Sequence, residues 1–576
     1  MKFMRTALFL LIFFTTSAHA DWLQWGRTAQ HEGRSPAAGQ RMERIHAQVT
    51  VDPFVPQSTA DFDAPLLAHY QAPLVSGNDL YLLIKGGQYT TQVGRDSQTW
   101  NIRNMRWQGG GLVERWMFPS DWKPVPHPIN VRGPSWEPVF HAALSADAVW
   151  VPGAGGTMFK VSRASGALIT RFNPFDGIDS SIFVTGPPVI DAAGNVYYNT
   201  IQLASGLPWT ADVVNAWLVK IGADGTIRKA TFESITPGAP AREASCTTQF
   251  ARAELPWPPS PAAVAPATRC GGQRPGINMA PAVGRDGTVY TISRAHLNER
   301  WGNLIAVNPD LTPKWVASLR NRFNDGCNVL LPPNGTPGGC RAGATTGVNP
   351  LDNELGSGNV VDNATSSPVV APDGRIIYGA LTRYNYQQGH LMAFEQDGRY
   401  VGSYSFGWDI TPAIYEHDGT YSIVLKENQY PATSYCDDIQ FCPISVGIYA
   451  REKYLLTQLD RSLRVEWQYQ NTNKESCERA DDGSIDCVEV DRNGFEWCVN
   501  AVAVDRDGVV YANSEDGNVY AISQGGVLKH RMFLRTALFA AYTPLAIGAD
   551  GRIYTQNAGT MFVIGEAPVR RRSIRR

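Results

Sequence analysis

The sequence predicts an all-β propeller of about eight four-stranded blades, and three observations carry the prediction. A short phrase, Asp-Gly followed by an apolar run ending in an aromatic residue, recurs along the whole chain. It is written twice in DRDGVVYANSEDGNVYAIS (residues 505–523). Its copies fall at intervals of one blade or of one blade plus an insertion. The composition, with 54 Gly, 38 Pro, 16 Trp and 22 Tyr in 576 residues, favours many turns and strands over long helices.

The phrase has a plain physical reading. Asp-Gly makes a tight turn, because glycine tolerates positive φ and aspartate bonds the local backbone. The β-branched and aromatic residues after it suit a strand. The closing aromatics are Tyr81, Trp150, Tyr197, Tyr290, Tyr378, Tyr511 and Tyr554, with Tyr421 as the weakest copy. The steps 150 to 197 and 511 to 554 are 47 and 43 residues, against about 40–45 for a WD40-like four-stranded blade. The steps of 93, 88 and 90 after Tyr197, Tyr290 and Tyr421 are blades carrying insertions. The count is eight, or seven if Tyr421 is discounted. A second strand phrase follows most copies (GNLIAVN from Gly302, GHLMAFE from Gly389), then an outer strand such as DLTPKWVASL from Asp310.

The chain opens MKFMRTALFLLIFFTTSAHA, with Lys2 and Arg5 before an apolar core and Ala18-His19-Ala20 as an A-x-A site. That is the pattern of a cleavable signal peptide over residues 1–20, too short to span a bilayer. No cysteine follows it to carry a lipid. The expectation is an exported protein, periplasmic or secreted, with no transmembrane segment. The propeller then occupies 21–565 and a basic tail 566–576. The last unit, TPLAIGADGRIYTQNAGTMFVIG, has only three strands, so RIHAQVTVDPF from Arg44 is expected to supply the fourth and close the ring.

Formal charge is −2, and removing Lys2 and Arg5 makes it −4, a balance that does not suggest nucleic acid. The nine cysteines avoid the phrase. Near-neighbour pairing gives Cys246–Cys270, Cys327–Cys340, Cys436–Cys442 and Cys477–Cys487, leaving Cys498, with Cys487–Cys498 as the competing choice. The spacings make neither a zinc site nor a haem attachment. The insertions holding these cysteines, about 232–279, 320–366, 428–447 and 470–498, are the best places for function. Loops between corresponding strands emerge on one propeller face, so they are expected to form a cap over the channel mouth.

With its opening DWLQWGRTAQHEGRS, the repeat resembles the PQQ-like family of eight-bladed propellers, which includes quinoprotein alcohol dehydrogenases and BamB-like scaffold proteins. The resemblance implies a tryptophan on each outer strand docking the next blade. Trp116, Trp315 and Trp467 fit, whereas Ser403–Phe406 and Lys529–Phe533 lack one. It also implies, for the enzymes, adjacent cysteines beside a quinone, calcium ligands and an aspartate base. This chain has no Cys-Cys pair and no aligned ligand motif. The expectation is a binding or scaffold protein with no cofactor, taking a protein or polysaccharide on the insertion-bearing face. The alternatives are a quinoprotein-like oxidoreductase using PQQ with calcium at a divergent site, and a carbohydrate-active hydrolase or lyase.

No catalytic residue emerges from the sharper signals. Asp505-x-Asp507 and Asp491-x-Asn493-Gly494 lack a full calcium set and read as turns. Ser120-Asp121-Trp122-Lys123 matches S-x-x-K by chance. His127, His141, His296, His390 and His417 are scattered. Arg570, Arg571, Arg572, Arg575 and Arg576 read as a solvated tail, or as a contact for an anionic surface.

Overall fold

The computed structural model describes residues 20–62, 67–68, 71–90, 96–126, 136–137, 140–205, 209–248, 250, 262–322, 348–349, 354–362, 366–381, 388–407, 410–429, 452–499, 501–538 and 544–567. Residues 1–19 of the expected signal peptide, His127, Cys327, Cys340, Cys436, Cys442 and the arginines of the tail lie outside them.

Eight antiparallel blades form the propeller. Blade 1 is Leu74–Ser76, Asp79–Gly87, Gln98–Gln108 and Gly111–Ser120. Blade 2 is Ala143–Leu144, Ala148–Pro152, Met158–Ser162 and Leu168–Phe172. Blade 3 is Val189–Ile190, Val196–Gln202, Asn215–Ile221 and Ile227–Thr231. Blade 4 is Ala282–Val283, Val289–Ala295, Asn298–Val307 and Pro313–Ser318. Blade 5 is Val369–Val370, Ile376–Leu381, Gln388–Phe394 and Tyr400–Gly407. Blade 6 is Ala413–His417, Thr420–Gln429, Lys453–Asp460 and Val465–Gln470. Blade 7 is Ala503–Val504, Val510–Asn513, Asn518–Ser523 and Val527–Phe533. Blade 8 is Ala546–Ile547, Ile553–Asn557 and Thr560–Gly565, closed by Arg44–Thr50 as its outer strand. That strand pairs from Arg44↔Gly565 to Thr50↔Thr560, so the ring has no open edge there. Just beyond it, the buried Asp52 and Lys85 pair at 3.1 Å and tie the closure to blade 1.

Most of the Asp-Gly turns share one device. The aspartate carboxylate accepts the amide two residues on, as in Asp286 from Thr288 at 3.0 Å, Asp550 from Arg552 at 3.0 Å and Asp224 from Thr226 at 2.9 Å. In six blades the closing aromatic of the phrase stands opposite the inner strand at the same register: Tyr81, Trp150, Tyr197, Tyr290, Tyr511 and Tyr554. Tyr378 and Tyr421 depart from it, and Ile377 and Val424 take that position. Blade 5 has one residue more after its glycine. Blade 6 turns in two residues, with Asp418 and Gly419 at φ 46° and 73° between paired His417 and Thr420.

Blades dock by complementary size. The outer-strand residue in line with the phrase aromatic is Trp116 in blade 1 and Trp315 in blade 4, and in blade 6 Trp467 stands in line with Val424. Each indole packs on a positive-φ glycine in the next blade's turn before its outer strand: Gly166, Gly398 and Gly526. Each ring N–H also donates into that turn, to Arg163 O at 3.0 Å, Gln396 O at 2.9 Å and Gln524 Oε1 at 3.4 Å. Where blade 5 offers Gly402 instead, blade 6 fills from the other side with Leu463, itself at φ 63°.

Residues 21–41 form a strap that visits every blade in order. Trp22 pairs with Val75 and Leu23 O accepts from Leu144 N. Gln24 brackets Ile190 through both amide atoms. Ala29 O, Gln30 O, Glu32 O and Gly33 O accept from Val283 N, Val370 N, Ile414 N and Val504 N, and Gln40 N donates to Gly551 O. Trp22, Trp25 and His31 of the strap are fully buried.

Candidate functional site

In a meander, the turns after the first and third strands open on one face. The connections after the second and fourth strands open on the other. The strap lies on the first, against the Asp-Gly turns. The insertions are all of the second kind. Three follow the outer strands of blades 3, 4 and 6, and residues 428–447 fall between the second and third strands of blade 6. Their described parts, and the strand ends from which they leave and to which they return, lie on one face, opposite the strap.

Two of the four expected cysteine pairs are bonded among the described residues, Cys246–Cys270 and Cys477–Cys487. The first lies buried beside Ala295 and Trp301 of blade 4. The second staples an exposed hairpin, Glu475–Arg479 with Ile485–Glu489, directly across its paired strands. The hairpin docks on the blade 7–8 connection, where Arg479 donates to Phe533 O and Leu534 O. Cys498 is free and buried. Burial and the nearby Glu515 and Glu496 push its thiol up, the opposite of what a nucleophile needs.

A buried titratable cluster on this face surrounds Asp362. Arg274 grips its two oxygens at 2.7 and 2.6 Å, and Arg294 reaches it at 3.4 Å. Arg274 Nε donates to His296 Nδ1 at 2.9 Å, so that nitrogen is unprotonated. His296 Nε2 therefore carries the proton toward Ala211 O, also at 2.9 Å. Burial, with both guanidinium groups, pushes the imidazole down to about 3. Burial alone would raise the Asp362 carboxyl, but Arg274 and Arg294 hold it well below the usual carboxylate range. Burial and the like charge of Arg274 bring Arg294 down to about 10. Trp209 stacks on His296 at 6.1 Å. The cluster is a clamp that fixes residues 354–362 of one insertion to blade 4. It holds no base poised to titrate near neutral pH.

The other sequence candidates are also occupied. Ser120 Oγ donates to Pro152 O and Lys123 Nζ donates to Gln98 O, so they form no catalytic pair. Asp505 accepts from Asp507 N, Val509 N and Gly39 N, at 2.8–2.9 Å, and is spent on its turn and the strap. Asn493 donates to Glu452. His417 Nε2 lies 2.8 Å from Ser422 Oγ, and His390 is buried. His141 is buried against Trp25, and burial pushes it down to about 3. Among the described residues no three His, Cys, Asp or Glu side chains are arranged to hold a metal ion.

The fold has close relatives in shape. A quinohemoprotein alcohol dehydrogenase from Comamonas testosteroni superposes with a TM-score of 0.53 at 11% identity, covering 95% of this chain and 81% of that one. The fold is that of the quinoprotein dehydrogenases. A europium-containing methanol dehydrogenase gives 0.50 at 9% identity over 93% and 89% of the two chains. The quinohemoprotein alcohol dehydrogenase ADHIIG from Pseudomonas putida HK5 gives 0.50 at 10% over 95% and 76%. At such identities the likeness is one of fold alone. No family model and no curated protein matches the sequence. Neither vicinal cysteines in the sequence nor a metal-holding group among the described residues supplies the donor set of a quinone–metal site, so no chemistry through that group is derived.

Proposed function

We propose that this protein is an exported binding or scaffold propeller whose working surface is the insertion-bearing face. One observation carries the reading. The described parts of three insertions lie on a single face and are braced there by two disulfides and a buried Arg–Asp–Arg clamp, while the strap runs over the opposite face. Long tethered loops on a rigid ring are a common way to build a recognition surface. The clamp and the buried thiol serve order rather than turnover. The bonded cysteines suit an oxidising compartment. No described helix is long and apolar enough to cross a membrane.

The test is cross-linking of the tagged full-length protein in its own cells, with the linked residues mapped. Cross-links to a partner should come from 232–279, 320–366, 428–447 and 470–498. They should weaken when the hairpin 475–489 is replaced by a short Gly-Ser linker. Cross-links confined to the strap face would sink the proposal. A separate titration with pyrroloquinoline quinone and calcium should leave the absorbance spectrum a simple sum of its parts.

A further inference from the structure

The seam between blades 2 and 3 breaks the docking rule. In blade 2 the outer-strand position taken elsewhere by tryptophan is Thr170, in line with Lys160 and Trp150. The facing turn of blade 3 nevertheless offers a small residue, Gly225, at φ 86°. Four other seams pair a large residue with a glycine, but here both partners are small. Phe172 leans in from two residues further along, stacks on Trp150 at 5.4 Å and comes into van der Waals range of Gly225. A phenyl ring is smaller than an indole and has no N–H. What remains is a half-open cleft of about 700 Å³ between the blades, on the strap face. That lies within the range of about 300–1,000 Å³ typical of small-molecule sites.

We propose that this cleft binds a planar aromatic molecule of indole size, in the place where three other seams insert a tryptophan of their own. Trp150, Phe172 and Gly225 line it, with Lys160 and Arg163 at its wall. The walls are already fixed. Arg163 Nη1 donates to Ser145 O at 2.8 Å, and Lys160 pairs with Asp147 at 3.4 Å. The blade 4–5 seam shows one backbone acceptor for a ring N–H. Trp315 donates to the carbonyl of Gln396, two residues before Gly398. Two residues before Gly225 stands Ala223, which also lines the cleft. The site is on the opposite face from the insertions and does not depend on their function.

The experiment is a calorimetric titration of the full mature chain with indole, 1-methylindole and N-acetyl-tryptophanamide. A diazirine-bearing indole is cross-linked in parallel and its attachment mapped. Indole should bind saturably, and 1-methylindole about fivefold more weakly, as expected for one lost hydrogen bond. The label should fall within 144–172 or 191–225. Gly225→Leu, the residue type blade 6 uses at this turn position, should abolish binding. So should the double variant Thr170→Trp with Phe172→Ala, which rebuilds a tryptophan seam from the other side. Tighter binding of N-acetyl-tryptophanamide than of indole would assign the cleft to a side chain of another protein and overturn the small-molecule source. No saturable binding, labelling elsewhere, or unchanged binding by either folded variant would overturn the site itself. The mapped label decides the matter even where neither variant folds.

Discussion

The two faces of this propeller are held together by different kinds of contact. The strap face is made of devices repeated around the ring: in five blades an aspartate caps the turn after the first strand, and in every blade a strap residue bonds the backbone of the inner strand or its turn. The insertion face is made of contacts that occur once. Its clamp joins residues 88 positions apart, and its disulfides join residues 24 and 10 apart. A repeated device spreads its load, so weakening one copy costs little and removing the strap costs all copies together. A unique contact concentrates its load, and one substitution can undo it.

The largest expected effect tests the first half of that contrast. Deleting residues 21–60 removes the strap and the closing strand, exposing surface that Trp22, Trp25, Met42 and Val51 now bury. At about 1.5–3 kcal/mol for each large side chain, with blade 8 left with a bare edge, the deletion should abolish the cooperative thermal transition. A deletion variant melting within a few degrees of the full mature chain would show that the ring does not depend on this closure.

Asp362→Ala tests the second half. It leaves Arg274, only 1% exposed, and the buried Arg294 without their shared carboxylate. Breaking a buried pair by removing one partner costs about 3–5 kcal/mol. Hydrogen exchange should rise first around 274–277, 294–296 and 354–362, with the strap still protected. Uniform exchange over both faces would mean that the clamp is part of the ring's general stability rather than a local lock.

Acid should act on both faces through buried imidazoles. Burial pushes His31 in the strap down to about 4, and His141 and His296 down to about 3. Each is neutral when folded, while the unfolded chain takes a proton near pH 6.5. Stability is therefore full above about pH 6.5 and falls as the pH drops toward 4, by about 1.4 kcal/mol per unit for each group. Asp362 adds its own loss only at lower pH, below the ordinary carboxylate range. The melting temperature of His31→Gln should fall less steeply between pH 6.5 and 4 than that of the unchanged protein. Identical slopes would remove His31 from the account.

How much of this was legible in the sequence follows from the same contrast. The turns were legible because Asp-Gly carries its own mechanism within four residues. Six of the eight aromatics sit where the phrase puts them. Tyr378 and Tyr421 do not, because one added residue or a two-residue turn shifts a strand of period two. Trp116, Trp315 and Trp467 stood out as large residues on predicted outer strands. Their glycine partners did not, since each belongs to the next repeat and looks like any other turn glycine. The absence at Thr170 was invisible for the same reason, because a missing tryptophan has meaning only beside Gly225. Arg274, Arg294 and Asp362 carried no signal at all. Nothing local marks three charged residues that meet only when an insertion folds back over blade 4.

The smallest expected effect sharpens the contrast within the insertion face. Cys477 and Cys487 close a hairpin whose residues are mostly exposed and whose strands already pair across the bond. A short closed loop constrains the unfolded chain least. The hairpin also adds little buried apolar surface, with Ile485 and Val488 at 43% and 64% exposure. Cys477→Ser with Cys487→Ser should therefore leave the melting temperature of the propeller within about 2 °C, given the small shift per kcal/mol in a chain of this size. Proteolysis around 480–484 should speed up instead, because the turn is exposed and the hairpin is then held to the blade 7–8 connection only through residues 477–481. A large drop in melting temperature would mean that the hairpin braces the blade 7–8 connection, making this disulfide as concentrated a contact as the clamp.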